Sequence, residues 1–580
     1  MFLPTTKKEI QALGWQALDI ILITGDTYID SPFSGIAVIG HVLADSGFRV
    51  GIIAQPDVNN PDDIMRLGEP ALCWGVSSGS VDSMVANYTA LKKKRMQDDL
   101  TAGGANVRRP DRALIAYSNL IRRYRSKPAP IVLGGLEASL RRIAHYDYHG
   151  NRIRRSILFD ARGDLLVYGM GEKTMLAIAR NLQAGKSTDA IPGICRISRE
   201  KPLSFCELPS FEKVTLDDRA FEHMFKLFAS NNDPSSASGL IQQHGDRYLI
   251  HNPPPEQLTS RELDRIYSLP YERDVHPFYA AQGPVRAMDT IRFSITSHRG
   301  CYGGCNFCAI ALHQGRRVIS RSPKSIHNEA VRVAAHPGFK GVINDVGGPT
   351  ANMYGIECTK KNNNDGCARR SCLFPSVCKE LQPNHTRQIK LLREIRKVSG
   401  IKKVFVASGL RYDLILADKQ AGTTYLAELV NHHVSGQMKI APEHCSDSVL
   451  KAMGKPQTKQ LTRFRNLFNE LTLKAGKKQF LTYYFIAAHP GCSMQDMQAL
   501  RDFSKKELRH YPEQVQIFTP TPSTFSTLMY HTGRDPFNGK DIFVERDMRR
   551  KQQQKNAILR SGKKPPGRQK TNSHSPRGKR

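Results

Sequence analysis

Cys301, Cys305 and Cys308 fall within eight residues of HRGCYGGCNFCAIALHQGRRVISRSP (298–323), separated only by glycines, aromatics and one asparagine. Thiolates at this spacing suit a soft metal, either zinc or an iron–sulfur cluster. Gly300, Gly303 and Gly304 supply the backbone freedom that a chain needs to turn three thiols toward one centre. The count of three leaves three chemistries open. A disulfide with one spare thiol requires an oxidising compartment. Zinc would need His298 or His313 as a fourth ligand, and zinc sites usually draw C-x2-C units from separate places. A four-iron cluster held by three cysteines leaves one iron without a protein ligand, and an open metal position can bind an exogenous cofactor.

A second group, Cys358, Cys367, Cys372 and Cys378, lies in ECTKKNNNDGCARRSCLFPSVC. Four thiols could complete a tetrahedral zinc site or hold an iron–sulfur cluster. Their spacing, C-x8-C-x4-C-x5-C, matches no standard zinc pattern, and thiols of a surface loop without metal are the plain alternative.

The elements that must position these residues read as α/β. Apolar runs at 18–25, 48–54, 71–77, 130–135 and 163–169 have the character of buried parallel strands, and helical periodicity at 34–47, 112–126 and 172–185 falls between them. Alternation of this kind predicts a doubly wound parallel sheet over residues 1–200. Residues 201–285, rich in Pro, Asn and Ser, read as an irregular connection. A second run has strands near 288–298, 341–347, 402–409, 436–442, 478–488 and 513–520. Helices are expected at about 323–335, 384–399, 422–434, 445–475 and 493–508. Six βα steps over 286–545 predict a partial (β/α)6 TIM-type barrel, too few for a closed eight. The Cys301 loop then follows the first strand, on the face where barrels do chemistry, and residues 356–380 form a Cys-rich insert. The tail 546–580 reads as basic and disordered.

C-x3-C-x2-C with Phe307 before the last cysteine resembles the signature of the radical S-adenosylmethionine (radical SAM) superfamily. That resemblance implies a 4Fe–4S cluster on Cys301, Cys305 and Cys308 whose open iron binds S-adenosylmethionine (SAM). It also implies reductive cleavage to a 5′-deoxyadenosyl radical and an electron donor of flavodoxin or ferredoxin type. NDVGGPTANMY (344–354) matches the glycine-rich turn that receives the SAM amino group at Gly347, Gly348 and Pro349, although an acidic residue often found there is absent. MKIAPEHCSDSVLKAMGKPQT (438–458) is similar to the strand-four region of methylthiotransferase-like members, with Glu443 in the matching place. With GDTYIDSPFSG (25–35) and LGGLEASLRRIAHYDY (133–148), the chain resembles the YgiQ-type radical SAM family over roughly 15–550. Its first 200 residues are similar in order to cobalamin-binding domains, which makes cobalamin a further cofactor to test. The Asp-x-His-x-x-Gly loop that ligates cobalt in such domains is missing. AGKST (184–188) is no phosphate loop, since Arg180 stands where the motif needs glycine. HYDYHG (145–150) offers His145, Asp147 and His149, which a polar surface loop explains equally well.

Composition bounds the rest. No window of about 18 uncharged apolar residues exists, so no membrane span is expected. The N-terminus lacks the apolar core of a secretory signal, so the expected location is cytoplasmic, with thiols reduced. Net charge is +32, of which residues 548–580 supply +12. Such a balance serves solubility or attraction to RNA. The sequence thus reads as a radical SAM enzyme of unknown substrate, RNA among the options. The rival is a non-catalytic metal- and RNA-binding protein whose metal sites are structural.

Overall fold

The run Ile20–Thr24 (β1) is buried along its whole length, as a strand covered on both faces must be. In the computed structural model, which describes residues 1–559 except 126, 363–366, 368–370, 510, 511, 513 and 514, β1 has two parallel neighbours. They are Val50–Ala54 (β2) and Cys73–Ser77 (β3). Ile131–Gly134 (β4) and Leu165–Val167 (β5) continue the parallel sheet beyond β3. The order β2-β1-β3-β4-β5 reverses between β1 and β3, and ligands of open α/β sheets bind at such a reversal. Helices Gly35–Asp45, Ala113–Tyr124 and Glu172–Gln183 occupy the predicted stretches and end within about two residues of them.

Beyond β5 the structure departs from the sequence reading. Ile194–Ser198 (β6) runs antiparallel to β5, and Cys206–Leu208 (β7), Leu240–His244 (β8) and Arg247–His251 (β9) follow it. The result is one mixed nine-stranded sheet, β7-β8-β9-β6-β5-β4-β3-β1-β2. Residues 201–285 are therefore not merely an irregular connection. A two-residue turn, Gly245-Asp246 with Gly245 at φ +62°, closes the β8–β9 hairpin. Its strands mix Gln, His and Arg with Leu and Ile, so the apolar pattern was too weak to reveal them.

The second run begins at Ser294–Thr296 (β10). Val342–Ile343 (β11) and Asp345–Gly347 (β12) form one line interrupted at Asn344, with β10 parallel to β12. On its other side β11 pairs in parallel with Lys403–Val404 (β13). A parallel bridge between Leu410 and Ile440 leads on to Gln437–Glu443 (β14). Phe480–Ala487 (β15) and Val515–Ile517 (β16) complete the series in parallel. Six strand lines thus stand side by side in chain order, and among the described residues none pairs β16 back to β10. The stretch 445–475, expected as one helix, is two. Asp447–Met453 stops at Gly454, whose φ of +69° suits only glycine without strain, and Thr458–Lys474 restarts after Pro456.

The expected disordered tail is corrected in its first part. Met548–Ile558 is a helix with Lys551, Gln554 and Ile558 buried. Two of its three inward residues are polar, so hydrophobic periodicity could not announce it. Gln554 Oε1 accepts from the Ala488 amide at 2.9 Å and its Nε2 donates to the Cys492 carbonyl at 3.2 Å. Lys551 Nζ donates to Tyr530 Oη at 2.8 Å and to Tyr148 Oη at 3.2 Å, which joins the two halves of the chain. Residues 560–580 of that tail lie outside the described residues. No helix among the described residues is long and apolar enough to cross a membrane. Gln554→Ala strands the buried Ala488 amide, so urea unfolding is expected to show a loss of about 1–3 kcal/mol. Exposed Gln553→Ala should stay within about 0.5 kcal/mol of the parent.

Candidate functional site

Directly after β10 the chain enters the cysteine loop. Gly300 sits at φ +84°, and a Cβ there would stand 2.0 Å from the Arg317 carbonyl oxygen, so only glycine lets the loop close. The Cys301 amide donates to the Gly315 carbonyl at 3.2 Å. At the far side Asn306 pins the loop to the helix Asp447–Met453: its amide donates to Met453 O at 2.9 Å and its Nδ2 to Ala452 O at 2.7 Å. All three thiols are brought together. The Gly303 amide donates to Cys301 Sγ at 3.4 Å, and a Cβ at 303 would lie 3.3 Å from Cys301 Sγ and 3.6 Å from Cys305 Sγ. Burial pushes the Cys308 thiol up to about 12, and the charges Cys305 and Cys301 would carry add to the effect.

Arg411, which the sequence reading missed, places Nη1 3.6 Å from Cys305 Sγ. Burial opposes its charge, but Asp413, bonded at 2.8 and 2.6 Å, and the neighbouring thiolates hold its pKa well above the usual arginine value. The signal available was GLRYD (409–413), an Arg-x-Asp after the third strand line, which carries no meaning until that strand's neighbours are known.

Among the described residues no three His, Cys, Asp or Glu side chains converge to hold a single metal ion. The three thiols are nevertheless close enough to feel one another's charge. The two histidines proposed as zinc ligands are each tied down through Nδ1, and His298 Nε2 is buried without a hydrogen-bond partner among the described residues. His298 Nδ1 bonds Ser297 Oγ at 2.9 Å and His313 Nδ1 bonds Ser139 Oγ at 2.9 Å. Burial pushes both imidazoles down to about 4.

Gly347 ends β12 beside this loop, and Gly348 and Pro349 follow it. A Cβ on Gly348 would lie 2.6 Å from His298 Nε2, whereas one on Gly347 would meet nothing closer than 3.4 Å. Thr350 Oγ1 lies 3.7 Å from Cys301 Sγ. Glu443 ends β14 at φ +71° after a register shift, a conformation costly for any side chain but glycine. It is buried, its Oε1 is 3.6 Å from Lys455 Nζ, and burial raises its carboxyl above the usual range. Its charge in turn raises Cys308, so Glu443 borders the same loop. In the second cysteine group Cys378 is buried, while Cys358, Cys367 and Cys372 are half-buried. HYDYHG is no surface loop in its first half: His145–Asp147 is a buried hairpin strand, and Asp147 binds Arg112 and Arg141.

A cavity of about 500 Å³ separates the nine-stranded sheet from the parallel run. It opens at the switch point, with Thr24 and Asp26 after β1, Ser77 and Gly79 after β3, and His298 and Gly348 facing them. Its charged lining is Asp26, Glu172, Asp345 and a single base, Arg299. Arg299 is consumed by Glu172 in a short buried ion pair. Asp26 accepts from the Ser80 amide at 2.6 Å and from Arg109 Nη2 at 2.7 Å. Asp345 accepts from the Ala407 amide at 2.7 Å.

A family model described as radical SAM N-terminal matches residues 2–294, and one described as a domain of unknown function, DUF3362, matches 513–563. A UPF0313 protein of Fusobacterium nucleatum is 54% identical over 97% of this chain and 99% of its own length. The chain belongs to the UPF0313 family. It is a radical SAM enzyme, as the cysteine spacing implied. UPF0313 proteins of Thermotoga petrophila and Methanocella arvoryzae are each 48% identical, over 96% and 94% of this chain and 98% and 90% of theirs. Among solved structures, the radical SAM methyltransferase TsrM of Kitasatospora setae, with cobalamin and a [4Fe–4S] cluster bound, is 14% identical. It aligns at a TM-score of 0.49 over 88% of this chain and 77% of its own. The cobalamin-dependent radical enzyme OxsB is 12% identical at 0.48, over 89% and 56%.

The UPF0313 chain makes Gly300 a steric requirement, so Gly300→Ala is expected to cost about 1–3 kcal/mol in urea unfolding. Gly35→Ala, where a Cβ meets nothing within 4 Å, should leave the midpoint nearly unmoved.

Proposed function

We propose that Cys301, Cys305 and Cys308 hold a [4Fe–4S] cluster with one open iron for SAM, and that a small neutral or cationic molecule is the substrate in the adjoining cavity. The observation that carries this reading is a cysteine loop set beside the 347–350 turn, with Thr350 Oγ1 3.7 Å from Cys301 Sγ, while Gly347, Gly348 and Pro349 of that turn line the cavity. When bound and reduced by one electron, the cluster and SAM supply a 5′-deoxyadenosyl radical that can remove a hydrogen atom. The chain's own residues do the rest. Gly347, Gly348 and Pro349 offer backbone acceptors to the SAM amino group, with no side chain at 348 to fill the approach. Glu443 and Lys455, buried together, border the cluster loop and offer a polar wall for SAM. Arg411 balances thiolate charge. The cavity lies between the two halves of the chain, with the 347–349 turn in its wall. A soluble one-electron donor supplies the reductant.

The fold supports this reading when the six-strand run is taken as a partial (β/α)6 barrel and the first sheet as its cover. RNA fits the cavity poorly: three acids and one already paired arginine line it, where a polyanion would require free bases. Cobalamin is a second reading, favoured by the β2-β1-β3-β4-β5 order with the cavity at its switch point. Against it, His298 and His313, the histidines lining the cavity, come from the cysteine-loop side, so the sheet itself contributes no histidine to the lining. A corrinoid bound stoichiometrically to the purified protein would replace the small-molecule reading.

The test is anaerobic reconstitution with iron and sulfide, reduction, and chromatographic measurement of 5′-deoxyadenosine from SAM. The parent is expected to form it and Cys308→Ala to form none. Gly348→Ala should fall about ten-fold or more, equivalent to at least about 1.4 kcal/mol, and Gly347→Ala much less. Uptake of zinc without iron, or SAM left intact after reduction, would sink the proposal.

A further inference from the structure

We propose that a chamber beside Arg142, adjoining the main cavity, binds a small oxyanion of phosphate size. The stretch SLRRIAHYDY (139–148) sets two arginines side by side, and the fold gives them different surroundings. Arg141 pairs with Asp82 at 2.8 Å and with Asp147 at 3.1 Å. Arg142 is 1% exposed and bonds no carboxylate among the described residues. Six other described arginines are buried, and each of them holds an Asp or Glu in an ion pair. A guanidinium stays charged inside a protein, so Arg142 carries a buried charge that the described chain does not balance.

Its contacts fix the group and leave part of it unused. Nε donates to His251 Nε2 at 2.9 Å, Nη2 donates to Asn232 Oδ1 at 2.6 Å, and Nη1 donates to the Ser139 carbonyl. All three acceptors are neutral. Burial, with the charge of Arg142 second, holds His251 well below the ordinary histidine pKa, which keeps its Nε2 bare. The rings of Tyr168 and Phe228 lie over the guanidinium, each centroid 4.5 Å from Cζ. A guanidinium has five N–H donors, so these three bonds leave one on Nη1 and one on Nη2 for a ligand.

The chamber has a volume of about 100 Å³, enough for a single phosphate group. Tyr168, directly after β5, and Asn232 line it from the first half of the chain, at the sheet edge where open α/β folds take ligands. Arg316 and Arg317, just past the cysteine loop, line it from the second half, and Arg299 and His313 are shared with the main cavity. Its bases are Arg142, Lys173, Arg299, Arg316 and Arg317, against Asp233 and the exposed Glu256. Glu172 and Glu262, outside the lining, match Arg299 and Lys173. Asp233 lies 3.1 Å from Arg317 and 3.6 Å from Arg316. The charge left without a carboxylate is that of Arg142, and an oxyanion accepting from its two remaining donors supplies the counter-charge. This site goes beyond the preceding reading, since its ligand is neither SAM nor the molecule in the main cavity.

The test is isothermal titration calorimetry of the full chain with inorganic phosphate at constant ionic strength. Saturable binding of about one phosphate per chain is expected. Arg142→Gln, which removes the charge, should weaken it about ten-fold or more. Exposed Arg265→Gln should bind like the parent. Should Arg142→Gln fail to fold by circular dichroism, Arg317→Gln takes its place, with a loss of about three-fold or more expected. Glycerol phosphate in the same titration separates two sources of the group: binding as tight or tighter assigns the chamber to a phosphomonoester, and weaker binding assigns it to the free ion. A parent that binds no phosphate up to about 10 mM overturns the proposal. So does unchanged affinity in whichever of the two variants is folded. The readout needs neither cluster nor SAM cleavage, so failure of the preceding reading is seen separately.

Discussion

A buried guanidinium cannot stay charged without a partner, and Arg299 finds its partner across the molecule. It meets Glu172, the first residue of the helix after β5, in a short ion pair, and its Nε donates to Tyr267 Oη at 3.2 Å. Both charged side chains are under a tenth exposed. In so low a dielectric the attraction is strong, and removing either member strands the other at about 3–5 kcal/mol. Arg299 stands two residues before Cys301, so this one pair sets where the cysteine loop lies against the first sheet. His313 to Ser139, Ser523 Oγ to Leu140 O at 2.7 Å, and Lys551 to Tyr148 repeat the fastening at other points. The cavity has fixed walls because these polar contacts fix both sides of it.

Charge governs the loop's interior as well. Cys301 and Cys308, raised by burial and by the neighbouring thiols, resist ionising, and metal binding requires that they do. A nearby cation eases that conflict, but an unpaired buried arginine would bring its own desolvation cost. Arg411 resolves both demands: Asp413 saturates Nε and Nη2, and Nη1 is left to face Cys305. Glu443 with Lys455 repeats the scheme on the Cys308 side. Each charge at the loop is held by a counter-charge that is itself buried, so the site's electrostatics are set by the fold more than by solvent.

What was legible in the sequence was what is encoded locally. The cysteine spacing, β1 to β5 and the order of the six later strands all follow from residue types within ten or so positions. Cys301, Cys305 and Cys308, Gly348 and Glu443 could be singled out because a motif names them. Arg411, Glu172 and Arg299 were not, because Cys305 is 106 residues from Arg411, Glu172 and Arg299 are 127 residues apart, and no local pattern marks an arginine as buried. The hairpin β8–β9 carried a Gly-Asp turn signal that its polar strands obscured. The helix Met548–Ile558 hid for a similar reason: it is held by Gln554 and Lys551 through hydrogen bonds, and a basic, Gln-rich stretch without apolar rhythm looks solvated until its acceptors are in place.

The net charge of +32 is not repeated in the cavity, whose lining arginine, Arg299, is already paired. Fields from many exposed lysines and arginines act outside and are screened within about a Debye length of 8–10 Å. Inside, Glu172 is offset by Arg299 and Asp26 by Arg109, which leaves Asp345, among the described residues, as the lining acid outside an ion pair. Behind low-dielectric walls that one charge counts for more than it would in water. The surface and the cavity thus present different electrostatics, the first set by many screened cations and the second by charges that the fold has largely paired.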